Sequence, residues 1–171
     1  MAGEEKGYAM LYNKYAKRIY HAVYRVMGNS SESEDIVQEA FCTAFEQIDK
    51  LKNQNNFEGW VKRIALNQAI SALRKKKMVF IEDGHLEAVA DEETDMSEEL
   101  LFQCQIEDIK KAIQELPDGY RTIISLHLFE DMPQEDIANM LGISHATVRS
   151  QYHRAKKKIF TALKDKAYYG T

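Results

Sequence analysis

Residues 133–155 read PQEDIANMLGISHATVRSQYHRA, and their helix-boundary signals define the architecture of the second half of the chain. Gly142 can take the left-handed conformation that ends a helix, and Ser144 is a good N-cap for a helix that follows. The small side chain of Ala138 lets two helices approach closely. The pattern therefore predicts a helix-turn-helix, in which a short helix over 134–141 precedes a long last helix.

The predicted last helix carries a basic outer face. Residues 142–171 hold seven Lys or Arg and a single acidic residue. Ile143 and Val148 are expected to plug the angle between the two helices, which leaves the polar side chains facing outward, where a major groove would lie. An ordinary helical hairpin is the alternative, and the basic face favours DNA binding over it. The expected DNA contacts are His145, Thr147, Arg149, Ser150, His153, Arg154 and Lys157.

The composition favours a helical protein with a buried core. Of 171 residues, 44% are hydrophobic and 29% are charged, and two prolines and eight glycines leave long uninterrupted stretches. The two cysteines exclude a disulfide framework and the common zinc spacings, and Cys42 is expected to be a small buried hydrophobe. No run approaches the ~20 apolar residues of a membrane span, and the first residues do not form a secretory signal. We expect a soluble intracellular protein without a metal or other cofactor.

The net charge of −4 is unevenly distributed. Residues 1–77 carry +4 (13 basic, 9 acidic), residues 78–105 carry −9 without any Lys or Arg, and residues 106–171 carry +1 (10 basic, 9 acidic). The acidic stretch also lacks helical periodicity, which is typical of a linker. We therefore predict an all-α fold with two small helical domains, 1–77 and 106–171, joined by the acidic linker 78–105.

Apolar residues at spacings of three and four predict three helices in the first domain. The first helix covers 8–27, and the second follows a capping box at residues 31–34. The third begins near Phe57 and runs into the basic cluster 74–77. Short connections between these helices indicate a compact bundle. In the second domain, Pro117 is expected to end one helix, and a further helix precedes the helix-turn-helix.

Two blocks of sequence carry a resemblance to a known family. The segment SEDIVQEAF, residues 33–41, resembles the polymerase-binding helix of the extracytoplasmic-function (ECF) sigma factors, and FEGWVKRIALN, residues 57–67, resembles their promoter-melting helix. The pairs LP at 116–117 and YR at 120–121, with the helix-turn-helix, resemble the family's second conserved domain. In this order the motifs cover nearly the whole chain outside the linker. The chain therefore resembles a minimal sigma factor of the sigma-70 type.

The resemblance implies roles for surfaces of the first domain. Asp35, Gln38 and Glu39 would bind core RNA polymerase, although read alone they would form an ordinary solvated helix face. The domain would also capture the non-template strand of the −10 element with one base flipped into a pocket. Phe57 and Trp60 offer stacking surfaces, but their spacing also fits the core, where Trp60 is expected. The implied −10 contacts are Asn53, Asn55, Asn56, Lys62, Arg63, Asn67, Arg74 and Lys75.

The second domain would read the −35 element. Arg149 is expected to pair bidentately with a guanine, and Arg154 and Lys157 are expected to meet phosphates. The implied partners are core RNA polymerase, promoter DNA and an anti-sigma factor that covers the polymerase-binding helix, all in the bacterial cytoplasm. The acidic linker is either a flexible tether or a segment that occupies a basic channel of the polymerase.

Other functions remain as alternatives at this point. A free-standing helix-turn-helix regulator with an N-terminal sensing bundle would bind a palindromic duplex by itself, typically as a dimer. A sigma factor would instead bind specifically only together with core polymerase. We do not expect an enzyme, because the sequence has no phosphate-binding loop, nucleophile elbow or paired-carboxylate site. An anti-sigma or adaptor role would not need a recognition helix with a basic face.

Overall fold

The computed structural model describes residues 2–51, 53–76 and 106–169, and every regular element within these ranges is helical. The described residues form two compact units, one on each side of the gap between residues 76 and 106, called unit 1 and unit 2 below. The prediction of an all-α fold with two small helical domains is confirmed. The acidic linker predicted at 78–105 lies outside the described residues. No helix among the described residues is both long and apolar enough to span a membrane.

Seven α-helices are present in the described ranges. Unit 1 consists of α1 (Ala2–Met27), α2 (Ser30–Glu46) and α3 (Phe57–Lys75), with the 3-10 turns Ile48–Lys50 and Gln54–Asn56 between α2 and α3. Unit 2 consists of α4 (Ile106–Gln114), α5 (Asp118–Phe129), α6 (Gln134–Leu141) and α7 (His145–Tyr169).

The core of unit 1 is built from the apolar stripes of its three helices. Ile19 and Val23 of α1, Phe41 of α2 and Val61 of α3 are at most 1% exposed. The ring of Tyr12 meets the Phe41 ring edge-on, with the centroids 4.8 Å apart, a favoured geometry for aromatic pairs. Because these faces are buried against one another, the opposite faces of α2 and α3 are the ones presented to solvent.

The start of α2 differs from the prediction of a capping box at residues 31–34, which is wrong. Gly28 ends α1 with a φ of 68°, and Asn29 then takes an extended conformation with φ −127° and ψ 124°. This is N-cap geometry, and Asn29 Oδ1 accepts a hydrogen bond from the Glu32 amide at 3.0 Å. The cap therefore lies two residues earlier than predicted, because the left-handed glycine places Asn29, rather than Ser31, at the helix start.

A buried arginine fixes the turn between α4 and α5. Arg121 is 6% exposed, donates a hydrogen bond to the Leu116 carbonyl oxygen at 3.0 Å and pairs with Asp118. A buried charge needs such partners. The helix predicted to end at Pro117 already ends at Gln114, and Pro117 takes the N-cap position of α5. The side chain of Arg121 thus joins the end of one helix to the beginning of the next.

The predicted helix-turn-helix is confirmed. Gly142 has φ 69° and ψ 35°, and its amide donates to the Ala138 carbonyl oxygen at 2.8 Å. Ser144 caps α7, since its Oγ accepts a hydrogen bond from the Thr147 amide at 3.0 Å. Val148 is fully buried and Ala138 is 5% exposed, as the close approach of α6 and α7 requires. These contacts set the direction in which α7 leaves the turn.

Candidate promoter and polymerase interfaces

Side-chain hydrogen bonds hold the first turn of α7. The hydroxyl groups of Ser144 and Thr147 lie 2.8 Å apart, and the Ser150 hydroxyl donates to the Thr147 carbonyl oxygen at 3.2 Å. His145 and Arg149 are exposed in the same stretch, while the side chains of Thr147 and Ser150 are half-buried. The N-terminal end of α7, the part of a recognition helix that contacts base edges, is therefore held by hydrogen bonds within its own first turn.

The predicted DNA contacts of α7 do not lie on one line of the helix. With 3.6 residues per turn, Ser150, His153 and Lys157 follow one another opposite the buried side, while Arg149 and Arg154 lie on the two flanks. Arg149 and Lys157 are exposed, and the other three are half-buried. Arg149 and Arg154 therefore leave the helix in different directions.

Arg154 and Lys157 also line a cavity of about 640 Å³ within unit 2. Leu116, from the turn between α4 and α5, and Tyr120, from the start of α5, form part of its apolar wall. Lys158 lies over the Tyr120 ring, with its Nζ 5.8 Å from the centroid, within the range of a cation–π contact. This contact was not predictable from residue spacing, because Tyr120 and Lys158 lie on different helices.

Tyr152 anchors α7 on α5. Its ring meets the His127 ring edge-on at a centroid distance of 4.8 Å, and His127 Nδ1 lies 2.8 Å from the Met132 carbonyl oxygen. Lys156 Nζ lies 5.3 Å from the Tyr152 centroid, a contact that the spacing of four residues makes predictable. Burial raises the pKa of the Tyr152 phenol. His127 is thus a packing residue, and no group of three or more His, Cys, Asp or Glu within the described residues is placed to hold a metal ion.

The outer face of α3 carries a stripe of polar side chains, called the α3 stripe below. Arg63, Asn67 and Arg74 are exposed along it, and Trp60 is half-buried at its beginning. Lys62 does not belong to the stripe: it is half-buried on a flank that continues into buried residues, and it engages another group of the protein. The structure therefore brings three of the predicted −10 residues together and sets Lys62 apart.

The asparagines of the loop before α3 are exposed. Asn53 Oδ1 accepts a hydrogen bond from the Asn55 amide at 3.0 Å, so this side chain shapes its own turn. Asn56 occupies the N-cap position of α3 without a capping hydrogen bond from its side chain. Its Oδ1 lies only 2.6 Å from the position that a Cβ on residue 59 would occupy, so any side chain larger than that of glycine would require the Asn56 side chain to move. The Asn56 side chain therefore lies against the bare backbone of Gly59 instead of capping the helix.

The basic end of α3 is exposed, and part of it is paired. Arg74, Lys75 and Lys76 are exposed, Arg74 engages another group of the protein, and Lys76 forms an ion pair with Glu32 of α2. Such surface pairs stabilise a fold by about 0–1 kcal/mol. Lys77, the last member of the predicted cluster, lies outside the described residues. Part of the cluster thus joins α3 to α2, while Arg74 ends the α3 stripe and Lys75 lies exposed next to it.

The two aromatic residues at the start of α3, Phe57 and Trp60, differ in their exposure. Phe57 is 4% exposed and packs edge-on against Trp60, with the centroids 6.3 Å apart. A stacking role for Phe57 is therefore wrong, because the ring is enclosed by the core. Trp60 is half-buried, so the expectation that it belongs to the core is met only in part, and part of its side chain lies at the surface beside the α3 stripe.

The three residues predicted to bind polymerase share one exposed face of α2. Asp35, Gln38 and Glu39 are spaced three and four apart, and all are exposed. Cys42 continues this face and is exposed, so the expectation that it is buried is wrong. The helical period explains the error, since Cys42 follows Gln38 and Glu39 by one turn, whereas its neighbour Phe41 points into the core. The face is acidic and polar and is held rigid by the bundle behind it.

Unit 2 is a helix-turn-helix domain with a basic face on its second helix. Unit 1 is a three-helix bundle that presents an acidic face on α2 and a polar stripe on α3. The combination is that of a two-domain helical protein of the DNA-binding helix-turn-helix class, with a second, acidic surface on the other unit.

Comparison with known proteins identifies the family. Residues 11–78 match the model described as Sigma-70 region 2, and residues 106–159 match the one described as Sigma-70, region 4. The ECF RNA polymerase sigma factor SigW of Bacillus subtilis is 32% identical over 174 residues, which cover 95% of this chain and 92% of that protein. The RNA polymerase sigma-H factor of Pseudomonas aeruginosa is 30% identical, covering 94% of this chain and 88% of that protein. The chain belongs to the ECF sigma factors of the sigma-70 family.

A solved structure shares the fold. The sigma factor RpoE of Bartonella quintana, determined in complex with the anti-sigma factor NepR, is 22% identical, with a TM-score of 0.56, covering 93% of this chain and 98% of that one. Family membership confirms the resemblance found in the sequence. It also decides between the functions left open there, in favour of an RNA polymerase sigma factor and against a free-standing regulator.

Proposed function

We propose that the two units divide the work of promoter recognition within the sigma factor. Unit 1 binds core RNA polymerase through α2 and captures the −10 element through the α3 stripe and the loop before it. Unit 2 reads the −35 element through α7. One observation carries this proposal: the acidic face belongs to unit 1 and the basic helix α7 belongs to unit 2. The two surfaces therefore suit partners of different charge.

The −35 element is read by the ordered start of α7. Arg149 is exposed there and has the donor geometry to pair with a guanine in the major groove. Lys157 and Arg154 lie further along the helix and bind phosphates, which position the unit without reading the sequence. His145, Thr147, Ser150 and His153 complete the surface that faces the DNA.

The −10 element is held as a single strand against unit 1. Arg63 and Arg74 of the α3 stripe neutralise phosphates, with Lys75 at the helix end, and Asn67 hydrogen-bonds to a base edge. The loop residues Asn53, Asn55 and Asn56 provide further amide groups for base edges. The exposed part of the Trp60 ring adds a surface on which a base can stack, and stacking is worth about 1–3 kcal/mol per base. Lys62 contributes at most to phosphate binding at the margin of this surface, because it lies off the stripe.

Core polymerase is bound by the exposed face of α2. Asp35 and Glu39 are carboxylates one turn apart, with the Gln38 amide beside them, and the buried side of α2 holds all three in fixed positions. Ion pairs and hydrogen bonds at such a face give orientation and fast association rather than affinity alone. We propose the coiled-coil clamp of the largest polymerase subunit as the surface that receives them.

Transcription in vitro tests the division of work. Core polymerase with this protein should initiate on a subset of a random promoter library that shares two elements, and neither component alone should do so. The double variant Asp35→Asn, Glu39→Gln should lower affinity for core polymerase at least tenfold. Asp49→Asn, an exposed carboxylate of unit 1 outside the α2 face, is the matched control and should leave affinity unchanged. Equal losses in both variants would contradict the assignment of the α2 face.

We also propose an anti-sigma factor as the regulatory partner, binding over the polymerase-binding face of α2. Support comes from the exposure of that face, since a protein that covers it excludes core polymerase. Recovery of the protein from cells should yield a stoichiometric inhibitor that the double α2 variant fails to bind. Recovery of core polymerase alone, without an inhibitor under any condition, would contradict this part of the proposal. The same proposal assigns the protein to the bacterial cytoplasm and gives it no catalytic step of its own, the chemistry being that of the polymerase.

A further inference from the structure

The cap of the recognition helix also fixes one of the side chains expected to face DNA. Ser144 Oγ accepts a hydrogen bond from the Thr147 amide at 3.0 Å and lies 2.8 Å from Thr147 Oγ1. Both contacts meet at the same hydroxyl oxygen, and the Ser150 hydroxyl adds a bond to the Thr147 carbonyl oxygen at 3.2 Å. Thr147 is thus held at its amide, its side-chain hydroxyl and its carbonyl group by residues of its own turn.

This arrangement separates the two groups that Thr147 carries on its Cβ. The hydroxyl is engaged with Ser144, so it contributes to the helix cap. A β-branched side chain is stiff at χ1, and the bond to Ser144 favours a single rotamer. The methyl group on the same carbon takes no part in this bond. A thymine is the base that matches such a group, because its C5 methyl is the apolar feature of the major-groove edge.

We propose that Thr147 reads the methyl group of a thymine in the −35 element, and that Ser144 is the positioning residue that directs the Thr147 methyl toward it. The inference rests on the proposed function, in which the start of α7 enters the major groove. Thr147 lies two turns before Arg154, on the flank of α7 opposite Arg149. It therefore gives α7 a second specificity determinant at a different base pair from the one that Arg149 reads, and uses apolar contact where Arg149 uses hydrogen bonds. The direct competitor is a phosphate contact made by the Thr147 hydroxyl, which would carry no sequence information.

The test is a cycle of methyl deletions on both partners. Holoenzyme made from the full chain and core polymerase binds promoters chosen from a random library, with each −35 thymine replaced in turn by deoxyuridine, which removes only the methyl group. At one position the wild-type holoenzyme should lose about fourfold in affinity, the effect expected for one buried methyl group. Thr147→Ser should lose a similar factor on thymine DNA and show no further loss with deoxyuridine at that position.

Two more variants separate the roles of the hydroxyl and the cap. Thr147→Val keeps a methyl group without the hydroxyl and should retain the sensitivity to deoxyuridine. Ser144→Ala should reduce that sensitivity while Arg149-dependent discrimination persists, with a melting curve to show that unit 2 remains folded. If Ser144→Ala leaves the deoxyuridine effect unchanged, the positioning role is wrong.

The remaining outcomes distinguish failure of this inference from failure of the proposed function. Wild-type holoenzyme that discriminates −35 variants but binds thymine and deoxyuridine equally at every position would overturn the role of Thr147 alone. The same conclusion would follow if Thr147→Val abolished binding on all sequences while Thr147→Ser had no effect, since the hydroxyl would then be the contact. Holoenzyme that binds a scrambled −35 element as well as the selected one would overturn both this inference and the reading of the −35 element by α7.

Discussion

Replacing Lys157 by alanine should weaken promoter binding by a similar factor on every −35 sequence and flatten its salt dependence. Lys157 follows Arg149 by eight residues in α7, which is about 12 Å along the helix axis. The major groove is also about 12 Å wide. A helix whose Arg149 reaches a base edge therefore carries Lys157 to the level of the groove wall, where the phosphates lie. Loss of one phosphate contact should lower the slope of log K against log salt by about 0.9.

Arg149→Ala should have the opposite signature. A bidentate contact to a guanine is worth ~1–3 kcal/mol of discrimination, which corresponds to roughly 5- to 150-fold at one or two base pairs. Affinity for variants that already lack this base pair should change little. Because Arg149 is assigned to a base rather than to a phosphate, the salt slope should stay near that of the wild type.

The assay is holoenzyme binding to a panel of single-base −35 variants at two or more salt concentrations. Lys110→Ala is a matched control, because Lys110 is an exposed lysine of unit 2 that pairs with Glu107 on α4, at 2.8 Å, away from α7. Equal losses on every DNA variant for Arg149→Ala would show that it only holds the backbone. A Lys157→Ala protein with an unchanged salt slope would refute the placement of Lys157 at the groove wall.

Three further perturbations test other parts of the molecule. Asn67→Ala should impair opening of the −10 region, measured by permanganate reactivity, while core polymerase affinity remains that of the wild type. Asn13→Ala removes an exposed amide of α1, outside the α3 stripe, and serves as its control. An equal loss of polymerase affinity in Asn67→Ala would mean that Asn67 is structural. Val148→Ala removes fully buried methyl groups between α6 and α7 and should lower the free energy of unfolding of unit 2 by about 2 kcal/mol, measured by urea titration. An unchanged free energy of unfolding would contradict this packing. Gly142→Ala should destabilise unit 2 by about 1–2 kcal/mol, because a φ of 69° is strained for a residue with a Cβ, and an unchanged urea midpoint would show that the turn relaxes.

The helix-turn-helix was predictable because its determinants are local. Gly142 and Ser144 act on backbone groups within four residues of themselves, so the sequence alone placed both helix boundaries. The start of α2 was missed for a related reason. The sequence predicted a cap at residues 31–34, and the cap instead falls on Asn29 because Gly28 takes a left-handed conformation that the sequence did not reveal.

The surfaces were less predictable than the elements that carry them. Lys62 and Arg63 are adjacent in a basic stretch, yet only Arg63 lies on the exposed stripe, because neighbouring residues in a helix point about 100° apart. Phe57 is an aromatic residue directly after a polar loop, which suits a stacking role, but the core encloses its ring. The contact of Lys158 with Tyr120 depends on how α7 packs against α5, and the spacing of residues along the chain does not predict it.

Trp60, the single tryptophan of the sequence, lies half-buried in unit 1 beside the α3 stripe. Intrinsic tryptophan fluorescence of the free protein therefore reports on unit 1 alone, whereas far-ultraviolet circular dichroism records helices of both units. A chain with two compact units need not unfold in one step, and a comparison of the two signals in the same urea titration separates their stabilities without labels or truncation. The same emission should respond when a single-stranded oligonucleotide places a base against the exposed part of the indole.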